Sequence, residues 1–354
     1  MHASILALQT EVPESSFSQE NFEEKMTKLL NLKKTETYLL KRITKGSLIK
    51  KRHSVVANFL EDEWTSSPKT SRRNDLYKEA APKLAEIVCH KVLEQWGNKR
   101  SDITHIISVS CTGMIAPGIE FLLIEPLGLS SKVERLGINF MGCFGAFKGI
   151  AIAKSIALES SKNRILVVCT ELCSLHFQRD LSKETMVSNS LFADGAGAVI
   201  IGMGPRENEK PLFNLINQAS EALPGTTDLM SWEAGDFGYQ MRLNALIPSF
   251  LEKNISPFVK RLVEKNHSLN AFTWAVHPGG KAILNALLKA CQLQNEQLKA
   301  SWDVLENYGN MSSPTFLFVL NEILKTSCLN KDIIGLGFGP GLSIEGLLLK
   351  HVAK

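Results

Sequence analysis

The feature that most constrains the fold of this 354-residue chain is an internal echo. Ile107-Ser-Val-Ser-Cys-Thr-Gly113 resembles Trp274-Ala-Val-His-Pro-Gly-Gly280, each an apolar strand-forming run that ends in a glycine turn. Cys111 and Cys143 lie 32 residues apart, and His277 and Asn310 lie 33 apart. At Gly142-Cys143 and at Gly309-Asn310 the sequence predicts that a helix opens. Gly-Ala-Gly-Ala-Val-Ile-Ile-Gly, ending at Gly202, is echoed by Pro340-Gly-Leu-Ser-Ile-Glu-Gly346, a turn followed by a strand. The shared order and spacing imply an ancient duplication. We place the halves at residues 1–205 and 206–354, joined at the charged, turn-rich stretch Pro205–Pro211. Cys143 and Asn310 then occupy equivalent helix starts, with His277 at a strand end nearby.

Short apolar runs alternate with longer amphipathic ones. Ile103–Ser110, Ile165–Thr170, Ala196–Gly202, Thr273–Val276 and Ile333–Phe338 read as buried strands. Asn74–Trp96, Gly145–Leu158, Lys281–Leu293 and Pro314–Lys325 read as helices. That alternation predicts an α/β sandwich with strands covered on both faces. A net charge of +4 on 40 basic and 36 acidic residues is too balanced to argue for nucleic acid. The basic excess is local, from Lys33 to Arg52, and reads either as a solvated helix face or as a landing surface for a phosphorylated ligand. No run approaches the roughly 18 apolar residues of a membrane span, and the first residues do not resemble a signal peptide. Seven cysteines, an odd number without a spaced framework, favour free thiols in a reducing cytoplasm.

Three residues carry candidate chemistry. Cys143 falls where an apolar run gives way to a helix-forming one, and a helix N-terminus favours the thiolate. Gly142, Gly145 and Ala146 let a ligand come close to the backbone. A free cysteine is otherwise a small buried hydrophobe. His277 ends a strand and precedes Pro-Gly-Gly, an irregular turn suited to binding, where the bland alternative is a hydrogen-bonded core histidine. Asn310 either caps its helix or presents an amide to ligand. Together they suit acyl transfer. The imidazole activates the thiol, and imidazole and amide then donate to a carbonyl oxygen that gains negative charge.

From about Pro13 onward the chain resembles the type III polyketide synthases, the chalcone and stilbene synthase family of the thiolase superfamily. The motifs are Gly-Cys-Phe at 142–144, Leu-Phe-Ala-Asp-Gly-Ala at 191–196, His-Pro-Gly-Gly at 277–280, Gly-Asn-Met-Ser-Ser at 309–313 and Gly-Phe-Gly-Pro-Gly at 337–341. The resemblance implies a thiolase-like α-β-α-β-α sandwich of two pseudo-symmetric halves, working as a homodimer. It makes Cys143 the acyl-carrying nucleophile, with His277 and Asn310 activating it and driving decarboxylation of malonyl-CoA. Phe192 matches the family's gatekeeper, and Lys41 and Lys45 match two of its CoA-phosphate contacts, while Tyr38 stands at the third. Gly279 and Gly280 should face the pantetheine arm, and Gly337 to Gly341, Phe338 among them, shape the cavity. Ser312, Trp232 and Met241 are further cavity candidates. Cys173 and His176 stand where plant enzymes have two threonines in the starter pocket, so the plant starter does not carry over.

The loop Cys111–Gly118 is shorter than its plant counterpart and has Ala116 where those enzymes carry an interface-crossing methionine, and Met230–Met241 resembles the bacterial branch. The implied substrates are malonyl-CoA and an acyl-CoA starter, with no metal, nicotinamide or other cofactor, and the implied products are pyrones, resorcinols or phloroglucinol-type rings. Rival readings are an initiating-type β-ketoacyl synthase, a non-catalytic acyl-CoA-binding protein of the same fold, a cysteine hydrolase, and a zinc site at Cys169, Cys173 and His176. A hydrolase of the papain type would need a Cys-Gly-Ser-Cys-Trp-like signature, and the zinc reading needs a fourth ligand.

Overall fold

The computed structural model describes residues 2–56, 66–206, 208–263, 268–326 and 332–352. The strands are β1 (Ala3–Glu11), β2 (Ser16–Ser18), β3 (Lys51–His53), β4 (His105–Ser110), β5 (Glu134–Asn139), β6 (Arg164–Leu172), β7 (Asp194–Met203), β8 (Phe213–Ala222), β9 (Met230–Gly235), β10 (Gly238–Leu243), β11 (Thr273–Val276), β12 (Asp332–Gly339) and β13 (Ser343–His351). The helices are α1 (Gln19–Leu29), α2 (Lys34–Ser47), α3 (Thr70–Trp96), α4 (Ile119–Leu122), α5 (Gly145–Glu159), α6 (Lys183–Leu191), α7 (Ile247–Val263), α8 (Lys281–Cys291), α9 (Lys299–Tyr308) and α10 (Thr315–Leu324).

Nine strands make one mixed sheet in the order β11-β12-β13-β8-β1-β7-β6-β4-β5. The order carries the duplication. Reading outward from the centre, β1, β7, β6, β4 correspond to β8, β13, β12, β11, and each step has the same sense. The first two pairings are antiparallel and the third is parallel, on both sides. Among the described residues, two pairs, Ser4 with Asn214 and Ile5 with Phe213, join the half-sheets at β1 and β8, and Leu212 N donates to Ile5 O at 2.8 Å beside them.

Side-chain alternation on doubly buried strands builds the layers. On β6, Leu166 and Val168 face an outer core under α3, while Ile165, Val167 and Cys169 face a central core. The central core takes Phe147 and Ile150 from α5 and Phe316 and Leu320 from α10, together with strand residues of both halves. A second outer core lies under α7 and α8, where Ile334 and Leu336 of β12 meet Leu251 and Leu287. The result is the five-layered, thiolase-like sandwich, with α5 and α10 shared in the middle.

The predicted strands and helices occur, with ends shifted by a few residues, and Thr273–Val276 is reproduced as read. One local prediction fails: Asn310 does not open a helix. The chain turns through Ser312, at φ 57°, and α10 begins at Thr315. Asn310 is instead hydrogen-bonded as a bridge to Phe192.

Candidate active site

Cys143 sits in a single 3-10 turn, Gly142–Phe144, that runs directly into α5. The turn needs glycine before it. Gly142 is at φ 69°, and a Cβ there would fall 2.6 Å from Cδ of Pro340. The thiol is buried, with Sγ 3.9 Å from both Oδ1 and Nδ2 of Asn310. The expected lowering of its pKa by the helix start is not what the surroundings produce. Burial pushes the thiol up to about 11, and the nearby Glu171 carboxylate adds to that, against hydrogen bonds from Ser312, Asn310 and the cysteine's own amide. Activation therefore requires a base.

His277, the first residue after β11, is fully buried; its amide donates to Leu336 O at 2.8 Å, which extends the ladder to β12. Among the described residues neither ring nitrogen has a partner. Burial pushes the imidazole down to about 3, so it is neutral, with one lone pair and one N–H available. Its Nε2 edge borders Gly279, whose ideal Cβ would be 3.9 Å away. Asn310 is held by its backbone, its amide donating to Leu191 O at 3.0 Å and its carbonyl accepting from Ala193 N at 2.9 Å. Oδ1 accepts from Ser312 N at 2.8 Å, which commits the carbonyl end of the side chain and leaves Nδ2 as the donor toward the Cys143 thiol.

All three line one cavity of about 570 Å³ together with Phe192, Met241, Phe338, Gly279 and Gly280. A second, inner pocket of about 30 Å³, room for about two waters, is lined by Cys173, His176, Trp232 and Tyr239. Phe192 and Met241 belong to both and form the partition. His176 is a structural imidazole here. Nε2 donates to Thr112 O at 2.8 Å, Nδ1 accepts from Tyr239 N at 3.0 Å, and the ring stacks on Tyr239 at 4.3 Å. With both nitrogens engaged and Cys169 in the central core, the Cys169–Cys173–His176 segment offers no metal cradle; no group of three such ligands occurs among the described residues.

Ser312 is not in the lining of either cavity; its hydroxyl lies 3.5 Å from Cys111 Sγ and also acts on the Cys143 thiol. Lys41 and Lys45 are set apart from the nucleophile's cavity, in a separate groove of about 690 Å³ beside Glu20, Glu23, Glu24 and Glu306, a poor setting for phosphate. The exposed cations lining the nucleophile's cavity are Arg42, Lys183 and Lys281. One residue along a helix rotates a side chain by about 100°, which separates Arg42 from Lys41. Sequence reading also missed the fully buried Glu171 beneath the site. It accepts from Ser313 Oγ at 2.6 Å, Thr112 Oγ1 at 2.8 Å and Cys111 N at 2.9 Å.

A duplicated sandwich whose halves meet around a thiol, with an unpartnered imidazole and amide donor, belongs to the condensing class of acyltransferases. Comparison with known proteins narrows the class. Residues 1–205 match the N-terminal domain of chalcone and stilbene synthases, and residues 214–353 match the C-terminal domain. The chain is 34% identical to type III polyketide synthase A of Arabidopsis thaliana, over 99% of this chain and 93% of that protein. It is 36% identical to the Dictyostelium discoideum protein named Probable polyketide synthase 1, over 98% of this chain but only 11% of that much longer protein. The crystal structure of the C-terminal type III polyketide synthase domain of Steely1, a type I/III hybrid from Dictyostelium, superposes with a TM-score of 0.95 at 36% identity, covering 100% of both chains. The chain belongs to the chalcone and stilbene synthase family of type III polyketide synthases. These are acyltransferases that use malonyl-CoA and acyl-CoA substrates.

Proposed function

We propose that this protein loads an acyl starter from CoA onto Cys143 and extends it by decarboxylative condensation with malonyl-CoA. The observation that carries the reading is the buried thiol 3.9 Å from the Asn310 amide, in one apolar cavity with an imidazole whose two nitrogens have no partner among the described residues. His277 takes the thiol proton as sulfur attacks the starter thioester, and CoA leaves as its thiol. His277 and Asn310 Nδ2 then donate to the malonyl thioester oxygen. Loss of carbon dioxide leaves an enolate there, held in a water-poor site. The enolate carbon attacks the Cys143 thioester, the carbon–sulfur bond breaks, and the chain, longer by two carbons, is on CoA. Repetition and cyclisation would give a pyrone or resorcinol-type ring. The chemistry asks for no metal, nicotinamide or carrier protein, because the thioesters supply the activation.

Arg42, Lys183 and Lys281 are the cations suited to the CoA phosphates. We further propose a homodimer in a reducing compartment. Support comes from the edge strand β5 with exposed Leu136 and, nearby in sequence, exposed Met114, Phe121, Phe140 and Met141. The six described cysteines are unpaired. The test is incubation of the purified protein with malonyl-CoA and acyl-CoA starters of increasing length, with products identified by mass spectrometry. Cys143→Ala should abolish extended products while malonyl-CoA decarboxylation stays measurable. Unimpaired product formation by that variant would remove Cys143 from the mechanism.

A further inference from the structure

Arg52 lies in the middle of β3 and is 1% exposed. Burying a guanidinium is costly unless every donor is matched. Arg164 shows the matched case: Nε and Nη2 grip Glu209, and Nη1 donates to two backbone carbonyls. No carboxylate lies within ion-pair distance of Arg52 among the described residues, and the buried Asp194 only partly offsets the burial that pushes the guanidinium's pKa down. Its guanidinium carbon lies 4.9 Å from the Phe17 ring centroid and 4.3 Å from that of Phe22, two rings that stack on each other at 6.2 Å. Nε donates to Gln19 Oε1 at 3.1 Å, and Nη1 donates to Asn189 O and to Phe192 O, each at 2.7 Å. Gln19 adds a bond from Nε2 to Ser190 O at 2.7 Å. The pair thus satisfies carbonyls at the C-terminal end of α6, where a cation is favoured. Nη2 is left buried with no partner among the described residues.

Two further observations place the residue that carries this donor beside the inner pocket. Arg52 is part of the wall of the inner pocket behind Phe192. It is also packed against the loop that carries Asn310: a Cβ on Gly309 would come within 3.0 Å of Arg52 Cγ and 2.9 Å of Leu191 O. The other nitrogen donors of the pocket are engaged with the protein. His176 and Trp232 donate to the carbonyls of Thr112 and Cys111, and the Gln178 and Asn189 amides donate to backbone carbonyls.

We propose that Arg52 is a specificity-determining residue of the inner pocket, fixing the Phe192 partition through Nη1 and binding a keto or enolate oxygen of the growing β-keto chain through Nη2. The inference rests on the polyketide synthase reading above. A poly-β-keto chain carries an oxygen on every second carbon, and a pocket this small admits about one such unit, so the contact would count extensions rather than recognise the starter. No bond is made or broken by Arg52.

The test uses the full chain with malonyl-CoA and one acyl-CoA starter, reading by mass spectrometry the ratio of longer to shortest product within each reaction. That ratio is independent of how much enzyme is folded. Arg52→Lys keeps the charge, but its single nitrogen cannot stand at both the Nη1 and the Nη2 positions, so the ratio should fall roughly ten- to a hundredfold, as for a lost charged hydrogen bond. Gln19→Ala removes support for Nε and Ser190 while sparing Nη2, and should move the ratio less. Wild-type crystals soaked with acetoacetyl-CoA should place a keto oxygen within hydrogen-bond distance of Nη2. The proposal is overturned if both variants lower total product and melting temperature while the ratio stays at its wild-type value. It is equally overturned if the soaked crystals show only water on Nη2. Absence of product from the wild type with every starter would instead refute the polyketide synthase reading itself.

Discussion

The two halves put a glycine of nearly the same positive φ before different side chains: Gly142, at φ 69°, precedes Cys143, and Gly309, at φ 71°, precedes Asn310. The strand ends correspond as well. Cys111 is the first residue after β4, and His277 the first after β11. From that shared frame the halves diverge in what surrounds the equivalent residues. Cys111 is tied to Glu171 through its amide at 2.9 Å and its thiol at 3.3 Å, whereas His277 keeps both ring nitrogens unpartnered among the described residues. Cys143 runs straight into α5, whereas Asn310 is detained in a bridge to Phe192 before α10 begins. One half presents a buried thiol on a helix start; the other presents an imidazole and an amide on irregular backbone, and all three line one cavity. Copying a fold supplied two equivalent sites, and satisfying or withholding hydrogen-bond partners made them chemically different.

Exchanging equivalent strand-end residues breaks this comparison most severely. His277→Ala should lower both malonyl-CoA decarboxylation and product formation by about 10²–10⁴, the range for a positioned proton-transfer group. Cys111→Ser, at the equivalent position, retains a hydroxyl donor for Glu171 and should leave decarboxylation close to wild type. Carbon dioxide release with malonyl-CoA alone measures both. Equal losses in the two variants would mean that the halves contribute symmetrically to the reaction.

The halves also differ where β6 and β12 begin. Arg164 is buried and fully paired with Glu209, which also accepts from Trp96 Nε1 at 2.8 Å and Arg206 N at 2.8 Å. Asp332, which opens β12, is exposed opposite Lys350. Glu209→Ala strands a buried cation and should destabilise the fold by about 3–5 kcal/mol, while Asp332→Ala should change it by less than about 0.5 kcal/mol. Urea unfolding midpoints separate them. Burial alone would raise the Glu209 pKa, but Arg164 and the two N–H donors outweigh it and hold the carboxyl below its ordinary value of 4.5. The folded state therefore binds this proton less readily than the unfolded chain. Its stabilisation is present above pH 4.5 and is lost as pH falls through the depressed value. Glu209→Gln should flatten the acid limb of the stability profile; an unchanged limb would locate the acid sensitivity elsewhere.

The sequence made the parts of this asymmetry that depend on spacing legible, and hid those that depend on direction. The strand–turn–helix echo put Cys143 at a helix start and His277 at a strand end, as they are found, but put Asn310 at a helix start where it instead forms a bridge to Phe192. It did not reveal β1, an edge in sequence yet the centre of the sheet, because a doubly buried strand shows no alternation. The basic run around α2 looked uniform, and only the helical rotation separates Arg42 at the nucleophile's cavity from Lys41 and Lys45 beside carboxylates. Gly-Asn resembles a helix cap, so the longer turn through Ser312 was invisible. Burial of Cys143, which outweighs the helix start in setting its pKa, arises from residues distant in sequence.

The two left-handed glycines sharpen the comparison at the smallest scale. A non-glycine residue at such a φ is strained by roughly 1–3 kcal/mol, so Gly142→Ala and Gly309→Ala should both lower the urea midpoint. Their contacts predict different consequences beyond that. At Gly142 the new Cβ meets the edge of the Pro340 ring, 2.6 Å away and only partly buried, which can shift outward without moving the cavity wall. At Gly309 it meets Leu191 O at 2.9 Å, the carbonyl that accepts from the Asn310 amide. Relief of that clash must stretch the bridge holding Asn310 and Phe192. Decarboxylation of malonyl-CoA per folded molecule should therefore fall in Gly309→Ala and stay near wild type in Gly142→Ala, because that step does not need the Cys143 thiol. The reverse ranking would mean that the helix start of the first half, rather than the bridge of the second, positions the groups that stabilise the enolate.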